Sequence, residues 1–315
     1  MPRVDATPSN HDSAVLYDAL FFLSSLRRRI EPDLLRIPVG PGAVHVERYG
    51  HGGTAVVCVH GFGTCSFLWR AIAPEIAAAG NTAVAIDLLG YGQSDRPLDT
   101  EFGIAAQTDY LDRAMTALRL PRAAVVGIDL GGAVALRLAA LRRERVSHLA
   151  LINSLAPGSV PSADLRTLQR NTARFALRVA RGILGAASLL TPLLEQSVAD
   201  PAHMPPRLVA RYLAPYVGQD GVNHLLALAR AVRADDLNDI DPGSVRVPAL
   251  VVRGESDLWL DGDVAGRLAA SMPNGQLVRL PGVARLVPEE VPDQLTGLLL
   301  DFLEGRLHAE TRSTA

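Results

Sequence analysis

The chain contains no lysine. All 31 of its basic residues are arginines, set against 33 acids, so the formal net charge is −2 and the positive charge is spread along the sequence. So nearly neutral a chain has no long-range field to draw a polyanion, and nucleic acid is not an expected partner. Cysteine is almost as scarce. Cys58 and Cys65 are the only two, one inside and one just after a predicted buried strand, which suits reduced thiols rather than a disulfide framework and favours a cytoplasmic protein. A long hydrophobic run is missing as well. Residues 14–26 (AVLYDALFFLSSL) are apolar but include Asp18 and fall short of the roughly 20 residues a bilayer span needs; Arg27, Arg28 and Arg29 follow on the wrong side for a signal peptide. The segment reads as an amphipathic helix docked on the core, with contact to a membrane surface as the alternative.

What the sequence does contain is enough apolar residue for one large core, 48% of 315 residues with 20% charged. Strand-like and helix-like stretches alternate. Residues 43–49 (AVHVERY) alternate apolar and polar, 51–53 form a turn, and 54–60 (TAVVCVH) are a continuous apolar run of the kind a central parallel strand needs. A helix is expected over 68–79, a strand over 82–87 and a helix over 105–118. Further strands are expected at 123–128, 146–152, 247–254 and 276–280. Between 156 and 242 the pattern becomes helices separated by prolines and glycines. The result is an α/β architecture, a mostly parallel sheet flanked by helices with a helical insertion.

Residues 123–141 (AAVVGIDLGGAVALRLAAL) pass from a β-branched run to an alanine- and leucine-rich helix across Gly127-Ile128-Asp129-Leu130-Gly131-Gly132. Compressing that reversal into Asp129 strains its backbone and requires small neighbours. This stretch resembles the nucleophile elbow of the α/β-hydrolase superfamily, with Asp in place of the commoner Ser, as in its epoxide hydrolase and haloalkane dehalogenase branches. Other motifs agree in position. His60-Gly61-Phe62-Gly63 resembles the oxyanion loop, so the resemblance makes the backbone N–H groups of Phe62 and Leu130 the oxyanion donors. Residues 87–97 (DLLGYGQSDRP) look like the G-x-G-x-S-D segment, in which Asp95 and Arg96 are structural. Asp257, just past the strand ending at Gly254, matches the orienting acid. The resemblance implies residues 41–155 and 243–306 as core and 156–242 as a cap over the site. Residues 1–40 are then an N-terminal helical extension and 307–315 a disordered tail.

Candidate substrate contacts are His60, Tyr216 and Trp259. For His60 a loop-ordering role is favoured over that of a base, and cap tyrosines such as Tyr216 polarise the epoxide oxygen in epoxide hydrolases. Arg166, Arg170, Arg174, Arg178 and Arg181 recur at helical spacing and read as a solvated face, with an anionic ligand or lipid surface as the lesser alternative.

The sequence departs from the family where the catalytic histidine belongs. Aligning Pro281, Gly282, Glu289, Glu290 and Pro292 puts Arg285 at that position, and no histidine lies between His224 and His308. Arginine stays protonated and is no general base. Ile128 and Leu130 flank Asp129 where the relatives carry polar or indole side chains, which pushes the Asp129 pKa up by desolvation unless Arg285 offsets it. Three readings follow. One is a hydrolase of epoxide, ester or halide bonds in which His203, His224 or a carboxylate supplies the base. The others are a non-hydrolytic lyase, isomerase or cyclase, and a silent binding protein with Arg285 fixed on Asp129. All take a small or medium apolar molecule, and neither a cofactor nor a metal is expected.

Overall fold

The computed structural model describes residues 30–307 except 172, 173, 176, 177, 180, 181, 183, 184 and 261. The chain divides into two units, residues 1–31 and 32–315, and the fold belongs to the second. The expected helix at 14–26, Arg181 and the end of the expected tail, from 308 on, lie outside the described residues.

Eight strands form one sheet: β1 (Asp33–Pro38), β2 (Ala43–Tyr49), β3 (Ala55–Val59), β4 (Thr82–Ile86), β5 (Ala123–Ile128), β6 (Val146–Ile152), β7 (Ala249–Gly254) and β8 (Gly275–Leu280). Their spatial order is β1-β2-β4-β3-β5-β6-β7-β8. The first two join antiparallel, β2 against β4, and the remaining neighbours pair parallel. Parallel strands need crossovers, and the crossover helices cover both faces; this is why β5 is buried at all six positions and reads as unbroken apolar sequence. β1 is a correction. It lies inside the range assigned to a helical extension, as an edge strand with Leu34 exposed, and its DLLRIP sequence is too short and weakly alternating to announce itself.

A second correction concerns residues 68–79, expected as one helix. They form a 3-10 turn, Ser66–Trp69, and a separate helix, Ala73–Ala78, with Pro74 near the start of the second piece. A ring with no N–H belongs in a helix's first turn, so the proline sets a new start. The segment from 156 to 242 holds helices Ala163–Arg170, Ala186–Glu195, Pro206–Leu213 and Gly218–Ala231 and no strand among its described residues. In the first of these, Leu165 and Leu168 are buried while Arg166 and Arg170 face out, as an amphipathic helix requires.

The strand order reverses between β3 and β5, which lie side by side with Val59 opposite Gly127. The loop after β3 and the turn after β5 therefore meet at the carboxyl edge of the sheet, where open α/β sheets bind ligands.

Candidate active site

Asp129 follows β5 directly and precedes the helix Leu130–Leu141, with φ 53° and ψ −119°. A non-glycine residue pays for such a backbone in strain, and its surroundings hold it there by close approach. A Cβ on Gly127 would sit 2.3 Å from the carbonyl oxygen of Gly131, and one on Gly131 2.3 Å from that of His60. Strand, turn, helix and the neighbouring loop are thus in backbone contact, and the carboxylate is thrust out at the sheet edge.

That carboxylate is buried, 3% exposed. Its Oδ2 accepts from the Phe62 N–H at 2.9 Å, and the Leu130 N–H also bonds the carboxylate. The two expected oxyanion donors are therefore engaged by Asp129 itself. Oδ1 accepts from Arg285 Nη2 at 2.5 Å. The other terminal nitrogen of Arg285 donates to Oδ2 of Asp164 at 2.7 Å, and Nη2 also reaches the Ser162 hydroxyl at 3.3 Å. One guanidinium thus bridges a carboxylate of the sheet edge and a carboxylate of the segment 156–242. Burial pushes the Asp129 carboxyl above the ordinary carboxylate range, with Arg285 and the two N–H groups pulling it back. Asp164 is lowered instead: burial works against its charge, but Arg285, Ser162 and the Leu165 N–H together outweigh it.

Above Asp129 lies a cavity of about 20 Å³, lined by Gly61, Phe62, Thr64, Ile128 and Arg285 from one side and by Asp164, Leu190, Leu193, Leu194 and Ser197 from the other, with Leu286 completing it. This holds about one water molecule, against some 300 Å³ for an ordinary small-molecule pocket. Leu190, Leu193 and Leu194 of the helix Ala186–Glu195 line the cavity over Asp129. Further bonds close the same seam: Leu286 N–H to the Ser197 carbonyl, the Ala199 N–H to Glu290, and the Tyr212 hydroxyl to Glu289, which also holds Arg70 at 2.6 Å. Among the described residues, no group of three or more His, Cys, Asp or Glu side chains could hold a metal ion.

A family profile for the alpha/beta hydrolase fold matches residues 54–292. The chain belongs to that family. It is 30% identical over 268 residues to a dihydrolipoyllysine-residue acetyltransferase component of an acetoin cleaving system from Pseudomonas putida, covering 82% of this chain and 65% of that one. To a haloalkane dehalogenase from Mesorhizobium japonicum it is 36% identical over 126 residues, 40% of each chain. It therefore spans less than two thirds of either relative's length. Among solved structures, an alpha/beta hydrolase fold protein from Burkholderia ambifaria superposes with a TM-score of 0.76 at 27% identity, over 86% of this chain and 99% of that one.

Within the family fold, the residues singled out by sequence fall into two groups. Asp129, Arg285, Phe62 and Leu130 come together as described. Asp257 reaches the same sheet edge and is buried, but its Oδ2 is held by Arg253 Nη1 at 3.1 Å and its Oδ1 by the Trp259 N–H at 2.8 Å. Arg285 feels its charge without a hydrogen bond to it. His60 spends both ring nitrogens on backbone, Nδ1 on the Gly61 carbonyl at 2.8 Å and Nε2 on the Leu88 N–H at 3.0 Å. That leaves neither nitrogen for a substrate, which corrects its place among the substrate contacts. Nε2 accepts a hydrogen bond only in the neutral ring, and burial lowers its pKa in the same direction. Trp259 is half-buried and does not line the cavity. His224 bonds the Gly90 carbonyl at 2.7 Å and His203 is exposed; neither lines the cavity.

Tyr216, also a candidate substrate contact, does not line the cavity either; it is buried with its hydroxyl unpartnered and its ring 5.6 Å from the guanidinium of Arg96. Sequence reasoning missed two residues. Tyr91 is also buried with a free hydroxyl, packs edge-on against Phe62 and lies within electrostatic range of Asp129 and Tyr216. Asp164 carries no signal beyond being an acid in a helix's first turn, and nothing in the sequence links it to a residue 121 positions away.

Proposed function

We propose that this α/β-hydrolase-fold chain is an enzyme that attacks a carbon of a small or medium apolar molecule with the Asp129 carboxylate, in a site that runs without histidine. The observation that carries the reading is the seating of Asp129: Oδ2 rests on the Phe62 N–H and the Leu130 N–H also bonds the carboxylate, which makes Oδ1 the nucleophilic oxygen in this reading, with the same donors later facing the charge that develops on the ester. An epoxide or alkyl halide suits a carboxylate nucleophile, because attack gives an alkyl ester; attack on a carboxylic ester would give a more reactive anhydride. The unpartnered hydroxyls of Tyr91 and Tyr216 favour the epoxide, whose opened oxygen needs a proton, and Leu130 offers no indole N–H to a halide. Arg285 pairs with the Asp129 carboxylate and works against the burial that raises its pKa, but takes no proton from water. Substrate entry requires Leu190, Leu193 and Leu194 to move off Asp129, which exchanges apolar packing for an apolar ligand. Reduced Cys58 and Cys65, both unpaired and pushed up to about 12 by burial, suit a cytoplasmic setting.

The tight Arg285–Asp129 contact also supports a second reading, in which the pair is fixed and the protein binds a small ligand without converting it. A non-hydrolytic lyase, isomerase or cyclase is the third, since it needs no water activation. Incubation with an aryl epoxide or an alkyl halide, followed by peptide mass analysis, separates them. The expected result is an added mass on the peptide containing Asp129, absent in Asp129→Asn. Saturable binding with no adduct and no product points to the binding protein, and a rearranged product without adduct to the non-hydrolytic enzyme.

A further inference from the structure

We propose that Asp164 is the base that activates water against the ester on Asp129, with Arg285 as the residue that positions both carboxylates. This rests on the reading of Asp129 as nucleophile. Asp164 is 3% exposed and lines the same one-water cavity as Asp129. Its Oδ2 is held by Arg285, and the Ser162 hydroxyl and Leu165 N–H also favour its charge, while its Oδ1 is buried with no hydrogen-bond partner in good geometry. A buried carboxylate oxygen without a donor is a costly arrangement that folds keep where the atom has work to do. A water in the cavity satisfies it. Thr64 and Ser197, which line the same cavity, already donate their hydroxyl protons to the Gly61 and Leu193 carbonyls, so each turns only lone pairs toward that water. The water then donates one proton to Asp164 and one to a hydroxyl oxygen, which leaves its own lone pair for attack.

Arg285 explains why the histidine position is filled by a cation. Its two terminal nitrogens hold Asp129 and Asp164 at a fixed separation. When Asp129 becomes an ester it loses its charge, and the guanidinium is left matched one to one with Asp164. The release step then balances. The water oxygen bonds the ester carbon Cγ, one water proton passes to Asp164 Oδ1, and the oxyanion forms on the Phe62 and Leu130 N–H groups. The Cγ–O bond to the substrate breaks, the second water proton leaves on the product alcohol, and Asp129 returns as a carboxylate. Asp164 gives up its proton to solvent once the seam opens.

The test uses the full chain with styrene oxide in 18O-water, following the Asp129 peptide by mass in a single turnover. In the unaltered protein the ester is expected to form and decay, leaving 18O in the Asp129 carboxylate. In Asp164→Asn the ester accumulates and its decay slows at least a hundredfold, while Asp164→Glu recovers part of the rate with the same unfolding temperature as Asp164→Asn. The pH profile of decay in the unaltered protein gives a reading that does not depend on any variant folding: a carboxylate base keeps the rate flat through pH 6.5, where a histidine base would lose it. Wild-type decay in Asp164→Asn, or a wild-type profile that falls near 6.5, overturns the assignment of Asp164 alone. No ester on Asp129 in any variant overturns it together with the nucleophile reading beneath it.

Discussion

Two buried arginine–aspartate pairs lie at the carboxyl edge of this sheet, and they differ in a way that separates architecture from chemistry. Arg253 and Asp257 are four residues apart. Both terminal nitrogens of Arg253 are used, on Asp257 Oδ2, the Asp257 carbonyl and the Leu260 carbonyl, and both oxygens of Asp257 have donors. One cation meets one anion, and the loop after β7 is pinned. Arg285 by contrast reaches 156 positions back to Asp129 and 121 back to Asp164, so that one cation serves two anions. An oxygen of Asp164 is left over. Each arginine keeps a buried Nε without a partner, so the contrast lies in the carboxylates: the local pair satisfies both oxygens of its acid and pins a loop, whereas the long-range one shares its cation between two acids next to a strained residue.

The largest expected effect follows from removing the shared cation. Arg285→Met strands two buried carboxylates and is expected to cost about 3–5 kcal/mol in chemical denaturation, most of it recovered by adding Asp129→Asn and Asp164→Asn. Arg253→Met strands one carboxylate that still keeps the Trp259 N–H, so about 2–3 kcal/mol is expected. Equal losses, or no recovery in the triple variant, would break the distinction between the pairs.

Replacing Arg285 with His asks whether the position can carry a titrating base. Asp257 has no free oxygen to orient the ring, which leaves Asp164 as its partner. The decay of the Asp129 ester in Arg285→His should acquire a pH midpoint at or above about 6.5, since an adjacent carboxylate raises an imidazole. A profile unchanged from the unaltered protein would show that the ring does not reach the water.

The smallest effect is a pH dependence of stability with opposite signs at the two carboxylates. Asp129 is raised above its ordinary 3.8 by burial, so its ionised form is less stable in the fold than in the unfolded chain; this penalty is absent in acid below 3.8 and grows as pH rises through the folded value. Asp129→Asn should therefore raise Tm more at neutral pH than near pH 3. Asp164 is lowered, so its contribution is present above 3.8 and lost as pH falls through its folded value, and Asp164→Asn should lower Tm at neutral pH with the gap closing in acid. Calorimetry across this range checks both signs.

Much of this was legible in the residues. β6 was expected at 146–152 and forms there, and β5 at 123–128 likewise, because parallel strands covered on both faces carry their burial in their composition. The elbow was legible for another reason: only small residues tolerate the backbone approaches at Gly127 and Gly131, so the turn prints its geometry into the sequence. β1 was not, since an edge strand has one neighbour and little apolar demand.

The site was legible in half. Asp129 at the elbow and Arg285 on the loop after β8 could be named as candidates from spacing, and the sequence could pose the contest between burial and the guanidinium without deciding it, because the outcome depends on distance and on how much water is excluded. Asp164 could not be named at all. Its role depends on the helix Ala163–Arg170 being laid against the loop that carries Arg285, a contact between segments 121 residues apart with no periodic trace in either. By itself the sequence determined the sheet and the strained turn, both of which follow from local sterics and composition. Only the tertiary structure decided which carboxylates share the arginine, which oxygen lacks a donor and that the space above Asp129 measures about 20 Å³, since each depends on packing between chain segments that local sequence does not encode.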